Sequence, residues 1–253
     1  MSQKLTNKVV LITGASKGIG AGIAKQMAAA GAKVVVNYAS SKTDADKVVH
    51  EITAKGGTAI AIQADVSKSK DVSRLFEETK KAFGDLNVLV NNAGIYFTVP
   101  LEDFTEDAYR KMFDVNVLGT LLASHEALKL FDKKGGSIIN ISSVAGKDPE
   151  LTLSVYGATK AAMSLLTTSL SQELGPKNIR VNSILPSMVL TEGLASLGLV
   201  ANTDNPYVNL MTGRTALGRL GTAEDIGDLA VFLATEEASF ITGQEIEVTG
   251  GFK

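Results

Sequence analysis

Short apolar runs recur along the chain, separated by longer stretches in which apolar residues return every three or four positions. The runs are KVVLIT (8–13), AKVVVN (32–37), TAIAIQ (58–63), LNVLVN (86–91), GSIINIS (136–142), IRVNSIL (179–185) and QEIEV (244–248). Such short runs with little polar alternation suit strands covered on both faces, as in a parallel sheet. Between them, Ile19, Ile23 and Met27 recur at fourfold spacing, and DVSRLFEETKKAF sets Val72, Leu75, Phe76, Thr79 and Phe83 on one side of a helix. Parallel strands require crossovers. Seven strands joined by helices therefore predict an α/β fold: one doubly wound domain over 1–253, its seven-stranded parallel sheet flanked by helices on both faces. Long helices are expected around 106–131 and 156–174. Residues 187–221 break the alternation; a segment this long between a strand and a helix is expected to form a lid.

Composition narrows the chemistry. Hydrophobic residues make up 45% and charged residues 21%, an ordinary globular balance. A net charge of -2 gives no electrostatic case for nucleic acid or an anionic membrane. With no cysteine, disulfides, thiolate catalysis and cysteine-bound zinc are excluded. The two histidines, His50 and His125, lie far apart, so neither a histidine metal site nor a Ser-His-Asp triad is expected. No run is long enough to span a bilayer and no leader precedes the first strand, so the expected location is cytoplasmic.

Two motifs carry chemistry. After the first strand comes TGASKGIG, with Gly14, Gly18 and Gly20 opening a helix. Gly14 permits a tight turn, and Gly18 lets backbone N–H groups approach a pyrophosphate at the helix N-terminus. The Gly-Lys-Ser/Thr ending of a nucleotide triphosphate loop is absent, so a dinucleotide fits better than ATP or GTP. The second motif is SVYGATKAAM (154–163). Tyr156 and Lys160 stand one helical turn apart beside small residues that leave room for a flat ligand. A free tyrosine titrates near about 10. An ammonium about 4 Å away supplies about 4 kcal/mol at an effective dielectric of 20, enough to lower that value by about 3 units.

TGASKGIG, Asp65 in ADVS, NNAG (91–94), Asn116, the serines at 142–143 and YGATK (156–160) together resemble the short-chain dehydrogenase/reductase family in order and spacing. The resemblance spans essentially the whole chain. It is nearest to 3-oxoacyl-carrier-protein reductases and to bacterial carbonyl reductases and glucose dehydrogenase-like enzymes. It implies a Rossmann fold and hydride transfer between a nicotinamide coenzyme and a ketone or secondary alcohol. Position by position, it implies that Gly14, Ser16, Gly18 and Ile19 line the pyrophosphate, that Asp65 and Val66 hold the adenine, and that Asn91, Ala93 and Gly94 support the floor. Ser143 would polarise the carbonyl, Tyr156 donate the proton, Lys160 bind the nicotinamide ribose, and Asn116 anchor a water extending the proton relay. Ser143 is preferred to Ser142 because it lies thirteen residues before Tyr156, the family's usual spacing. Pro186, Val189 and Thr191 correspond to the segment over the nicotinamide, with Ser187 where the family usually has glycine.

For the coenzyme, an NAD-selective site usually ends its second strand in an acid that bonds the ribose hydroxyls. Here Asn37 and Tyr38 stand near that position, and Lys17, Ser40, Ser41 and Lys42 can receive a 2′-phosphate. NADP(H) is therefore expected, with NAD(H) the alternative. Ile95, Tyr96, Phe97, the leucines of the lid, Tyr207 and Met211 point to a moderately apolar small-molecule carbonyl substrate. Lys134 and Lys177 can receive an acidic acyl carrier protein. By family analogy the chain forms a homotetramer. The alternative from another class is a non-catalytic dinucleotide sensor, which needs no Ser143, Tyr156 and Lys160 together.

Overall fold

The apolar runs become strands that begin and end within a residue or two of the expected limits. They are β1 (Val9–Ile12), β2 (Lys33–Tyr38), β3 (Thr58–Gln63), β4 (Val88–Asn91), β5 (Gly136–Ile141), β6 (Ile179–Pro186) and β7 (Glu245–Val248). The structure is a computed structural model that describes residues 3–193 and 205–253. All strands pair in parallel in the order β3-β2-β1-β4-β5-β6-β7. The helices are α1 (Gly18–Ala29), α2 (Lys42–Ala54), α3 (Ser69–Phe83), α4 (Glu106–Phe113), α5 (Gly119–Ala127), α6 (Ser154–Leu174), α7 (Pro206–Gly213) and α8 (Ala223–Ala234).

Successive strand residues point to opposite faces, and the core divides accordingly. Val10, Ile12, Val34 and Val36 pack with Ile23 and Met27 of α1, Val48 and Ile52 of α2, and Ile226 and Leu233 of α8. Val9, Leu11 and Val35 pack on the other face with Leu75 and Phe76 of α3, Ala123 and Ala127 of α5, and Leu174 of α6. Burial on both faces is why these strands read as continuous apolar runs.

One expected helix is broken. Residues 106–131 form α4, a π-helical turn at Asp114–Leu118, and α5. The Gly119 N–H reaches back five residues to the Asp114 carbonyl, and within the widened turn Asn116 is fully buried.

The expected lid is described at its two flanks, since 194–204 lie outside the described residues. On its C-terminal side, Arg219 forks onto Asp225 at 2.7 and 2.8 Å. Asp225 also closes a capping box with Thr222 at the start of α8. The Arg219 guanidinium holds the Asp225 carboxyl below the usual carboxylate range.

Candidate active site

The sheet order reverses between β1 and β4, and a cleft of about 650 Å³ opens there at the C-terminal ends of the strands. Its rim begins at Gly14, which adopts φ +61. A Cβ at Gly14 would lie 2.8 Å from the Ala93 Cα, so both conformation and space require glycine. Side chains from neighbouring strands brace the turn. Asn92 Nδ2 donates to the Thr13 and Gly14 carbonyls, both at 2.9 Å. The Thr13 hydroxyl accepts from the Asn92 and Ala93 N–H groups, each at 3.0 Å.

Asn37 also braces the turn. It borders the cleft, yet it is 1% exposed and its amide is committed inward. Its Oδ1 accepts from the Gly14 N–H at 3.1 Å, and its Nδ2 donates to the Ala64 carbonyl at 3.1 Å. Asn37 thus shapes the turn at the position where an NAD-selective site would carry an acid. Tyr38 is buried in the core and does not line the cleft. Lys42 pairs with Asp46 at 2.6 Å and is likewise not in the lining. Lys17, Ser40 and Ser41 do line it.

The donor set at the turn fits a dinucleotide. The Gly18 N–H, at the first residue of α1, donates to the Glu192 carboxylate at 3.0 Å. An anionic oxygen thus already occupies a helix N-terminal position of the kind that receives phosphate. Gly14, Ser16, Lys17, Gly18 and Ile19 face this side of the cleft, and Asp65, Val66, Ala93 and Gly94 face the other positions expected of them. Asn91 lies beneath the floor, donating to the Ser124 hydroxyl and to Asn140 Oδ1. Thr191 and Val189 border the substrate side of the site, whereas Pro186 closes β6 beside Val248 and lines neither cavity. Ser187 takes no positive φ, so the missing family glycine costs no strain, and its hydroxyl donates to the Thr249 carbonyl at 3.4 Å.

Tyr156, Ser143 and Lys160 converge where this cleft meets a second cavity of about 330 Å³. Ser143 follows β5 and its hydroxyl stands beside Tyr156; its Oγ accepts from the Ala145 N–H at 3.2 Å. Ser142 instead donates to the Lys160 carbonyl at 2.9 Å within the core, which makes it structural. Asn116 clasps the segment after β4. Its Oδ1 accepts from the Ile95 N–H at 2.8 Å, and its Nδ2 donates to the Ile95 carbonyl and the Thr159 hydroxyl, both at 3.0 Å. The π turn thereby ties the cleft floor to α6, the helix that carries Tyr156.

The expected depression of the tyrosine is not realised in this geometry. Burial raises the Tyr156 hydroxyl above its ordinary value, the adjacent Ser143 hydroxyl lowers it, and nearby Tyr96 raises it. Lys160 Nζ lies 5.7 Å from the Tyr156 ring centroid, bonded to the Ile141 carbonyl at 2.9 Å and to Met163 Sδ at 3.5 Å. Burial pushes the Lys160 ammonium down to about 8. An ammonium turned toward β5 acts on the phenol more weakly than the 4 Å pair expected from helical spacing.

Of the residues expected at the mouth, Tyr96, Tyr207 and Met211 line the second cavity, joined by Met188 and Phe252, whereas Ile95 lines the cleft and Phe97 packs against Val99 and Met112. The Tyr96 ring meets Tyr156 edge-on at 5.3 Å. Arg214 stacks on Phe252 and reaches Glu150 at 3.4 Å. Asn92 and Glu192 are the residues sequence reasoning missed. Asn92 sits inside the quoted NNAG motif, whereas nothing local marks Glu192. No group of three or more potential metal ligands occurs among the described residues. Lys134 and Lys177 are exposed just before β5 and β6, at the opposite end of those strands from Ser143.

Comparison with known proteins agrees with this geometry. The family model described as enoyl-(acyl carrier protein) reductase matches residues 14–253. An uncharacterised oxidoreductase of Methylorubrum extorquens is 48% identical over 250 residues, covering 99% of both chains. The 3-oxoacyl-[acyl-carrier-protein] reductase of a Synechocystis strain is 39% identical over 98% of this chain and 97% of its own. A short-chain dehydrogenase from Burkholderia cenocepacia, solved in complex with NADP, superposes with a TM-score of 0.90 at 36% identity, over 98% of each chain.

Proposed function

Because this chain belongs to the short-chain dehydrogenase/reductase family, and is thereby an NAD(P)-dependent oxidoreductase, we propose that it interconverts a ketone and a secondary alcohol with Tyr156 as proton donor. The observation that carries this reading is the convergence of Ser143, Tyr156 and Lys160 beside the braced glycine turn. The nicotinamide coenzyme, when bound, supplies or accepts the hydride.

The residues do the rest. Ser143 and Tyr156 present two hydroxyls to one carbonyl oxygen, the Ser143 hydroxyl polarising it and the Tyr156 hydroxyl giving it a proton. Lys160 supplies the cation that replenishes and stabilises Tyr156. Asn116, already fixed by Ile95 and Thr159, anchors a water that continues the proton path from Lys160. Gly14, Ser16, Gly18 and Ile19 hold the pyrophosphate, and Asp65 and Val66 the adenine. Residues 187–221 serve as the lid of a single domain. A silent dinucleotide sensor would need no paired hydroxyls facing an apolar cavity.

NADPH is the preferred coenzyme in this reading. No acid borders the cleft at the end of β2, and Lys17, Ser40 and Ser41 are placed to receive a 2′-phosphate. The expected result is a kcat/KM several-fold higher with NADPH than with NADH, about 1 kcal/mol of discrimination. Steady-state kinetics with both coenzymes checks this, and a preference for NADH would refute it.

The substrate is a moderately apolar carbonyl compound, since aromatic and methionine side chains face Tyr156. Reduction of a 3-oxoacyl thioester on an acyl carrier protein is the second reading, favoured by the Synechocystis relative. Against it, the exposed cations Lys134 and Lys177 stand at the far end of β5 and β6 from the site. Acetoacetyl thioester against aryl ketones separates the two. Tyr109, Leu118, Leu121 and Leu165 expose apolar surface on α4, the π turn, α5 and α6, and Leu217 and Phe240 do so elsewhere on the chain. These patches support assembly as a homotetramer. No helix among the described residues is long and apolar enough to cross a membrane, and the cytoplasm is the location in this reading.

A further inference from the structure

Lys160 is 4% exposed, and its ammonium has three protons to place. One goes to the Ile141 carbonyl at the C-terminal end of β5, at 2.9 Å. A second goes to the thioether sulfur of Met163, at 3.5 Å. Met163 is fully buried and lies three residues further along α6, so helical geometry stacks its sulfur beside the amine. The remaining direction opens on the cleft. Lys160 lines it, and a Cβ at Gly94 would stand 3.6 Å from Nζ.

A buried methionine ordinarily fills space, and leucine would fill this space nearly as well. Leucine offers no lone pair, however, and a buried ammonium with an unmet donor is disfavoured. We propose that Met163 is a positioning residue for Lys160: its sulfur and the Ile141 carbonyl together hold two ammonium protons and aim the third into the cleft. The inference rests on the reading above, in which Lys160 is the cation serving Tyr156.

The surroundings fix the sign of the effect. From its own helix Lys160 is faced by Tyr156 and Met163, from β5 by the Ile141 carbonyl, and from the segment after β4 by Gly94 with the Asn116 side chain behind it. No carboxylate belongs to this set. Burial pushes Lys160 down to about 8, and neutral acceptors oppose that push. Removing one acceptor moves the titration lower still.

The test titrates the Lys160 ε-carbon by NMR in labelled full-length protein, assigned with K160M, and measures the pH profile of kcat/KM for NADPH-dependent ketone reduction. In Met163→Leu both the NMR midpoint and the alkaline limb are expected to fall by about half a pH unit, close to a threefold loss of protonated lysine above the midpoint. Met163→Gln, equal in length and carrying an oxygen acceptor, is expected to restore both. Unshifted midpoint and limb in Met163→Leu would overturn the proposal, as would a Met163→Gln shifted as far as the leucine variant. Wild-type turnover in K160M would instead overturn the role of Lys160, while the NMR midpoint would still decide the Met163 contact.

Discussion

Tyr156→Phe is expected to lower kcat by about 10²–10⁴-fold, the range contributed by a positioned proton donor, while coenzyme binding persists. The substitution removes one oxygen and little else. The ring keeps its edge-on contact with Tyr96, centroids 5.3 Å apart, so the wall between the two cavities stands. What is lost is the hydroxyl beside Ser143 that, in the proposed mechanism, gives the carbonyl oxygen its proton. Steady-state kinetics on a ketone and fluorescence titration with NADPH separate these effects. An unchanged kcat would remove Tyr156 from the chemistry. Loss of both turnover and binding would assign the hydroxyl to holding the coenzyme rather than to proton transfer.

Gly14→Ala is expected to weaken coenzyme binding at least tenfold, about 1.4 kcal/mol, and to destabilise the fold as well. Two costs combine at this position. The backbone sits at φ +61, where a Cβ costs roughly 1–2 kcal/mol. The added carbon would also lie 2.8 Å from the Ala93 Cα, a backbone neighbour that can move only by shifting the turn braced by Asn92 and Asn37. Gly84→Ala is the control, because Gly84 has φ +88 with no atom within 4 Å of an added Cβ. The control should lose stability and keep coenzyme affinity. Calorimetric titration and thermal unfolding of both variants check this; undiminished affinity in Gly14→Ala would mean the turn does not hold the coenzyme.

The sheet was legible because strands covered on both faces leave a simple trace, and Val9–Ile12 or Val88–Asn91 have no solvent side to encode. The family spacing that favoured Ser143 over Ser142 agrees with a Ser142 hydroxyl turned onto the Lys160 carbonyl in the core and a Ser143 beyond the strand end. The turn-shaping role of Asn37 was not legible. A polar residue ending an apolar strand looks like a ligand-binding group, and local sequence does not reveal that the Gly14 N–H and Ala64 carbonyl converge on it. The π turn was hidden for a related reason: one added residue in a helical repeat hardly changes the apolar period, yet it lets Asn116 reach Ile95 and Thr159. Tyr156 and Lys160 were correctly placed one turn apart, but spacing fixes where a chain starts and not which acceptor its tip finds. The Ile141 carbonyl and the Met163 sulfur decide that. Glu192 meets Gly18 across 174 positions, a contact that only the fold creates.

The central claim is that hydride moves between a nicotinamide and a carbonyl carbon at Tyr156. It is tested most directly by supplying NADPH deuterated at C4, in each of its two epimers, with a panel of aryl ketones and acetoacetyl thioester, and weighing the alcohol formed. The account predicts one deuterium on the carbinol carbon from one epimer and none from the other, with the labelled product formed about 10²–10⁴-fold more slowly in Tyr156→Phe. Failure of any carbonyl compound to take up label, or equal labelled product from the phenylalanine variant, would contradict it.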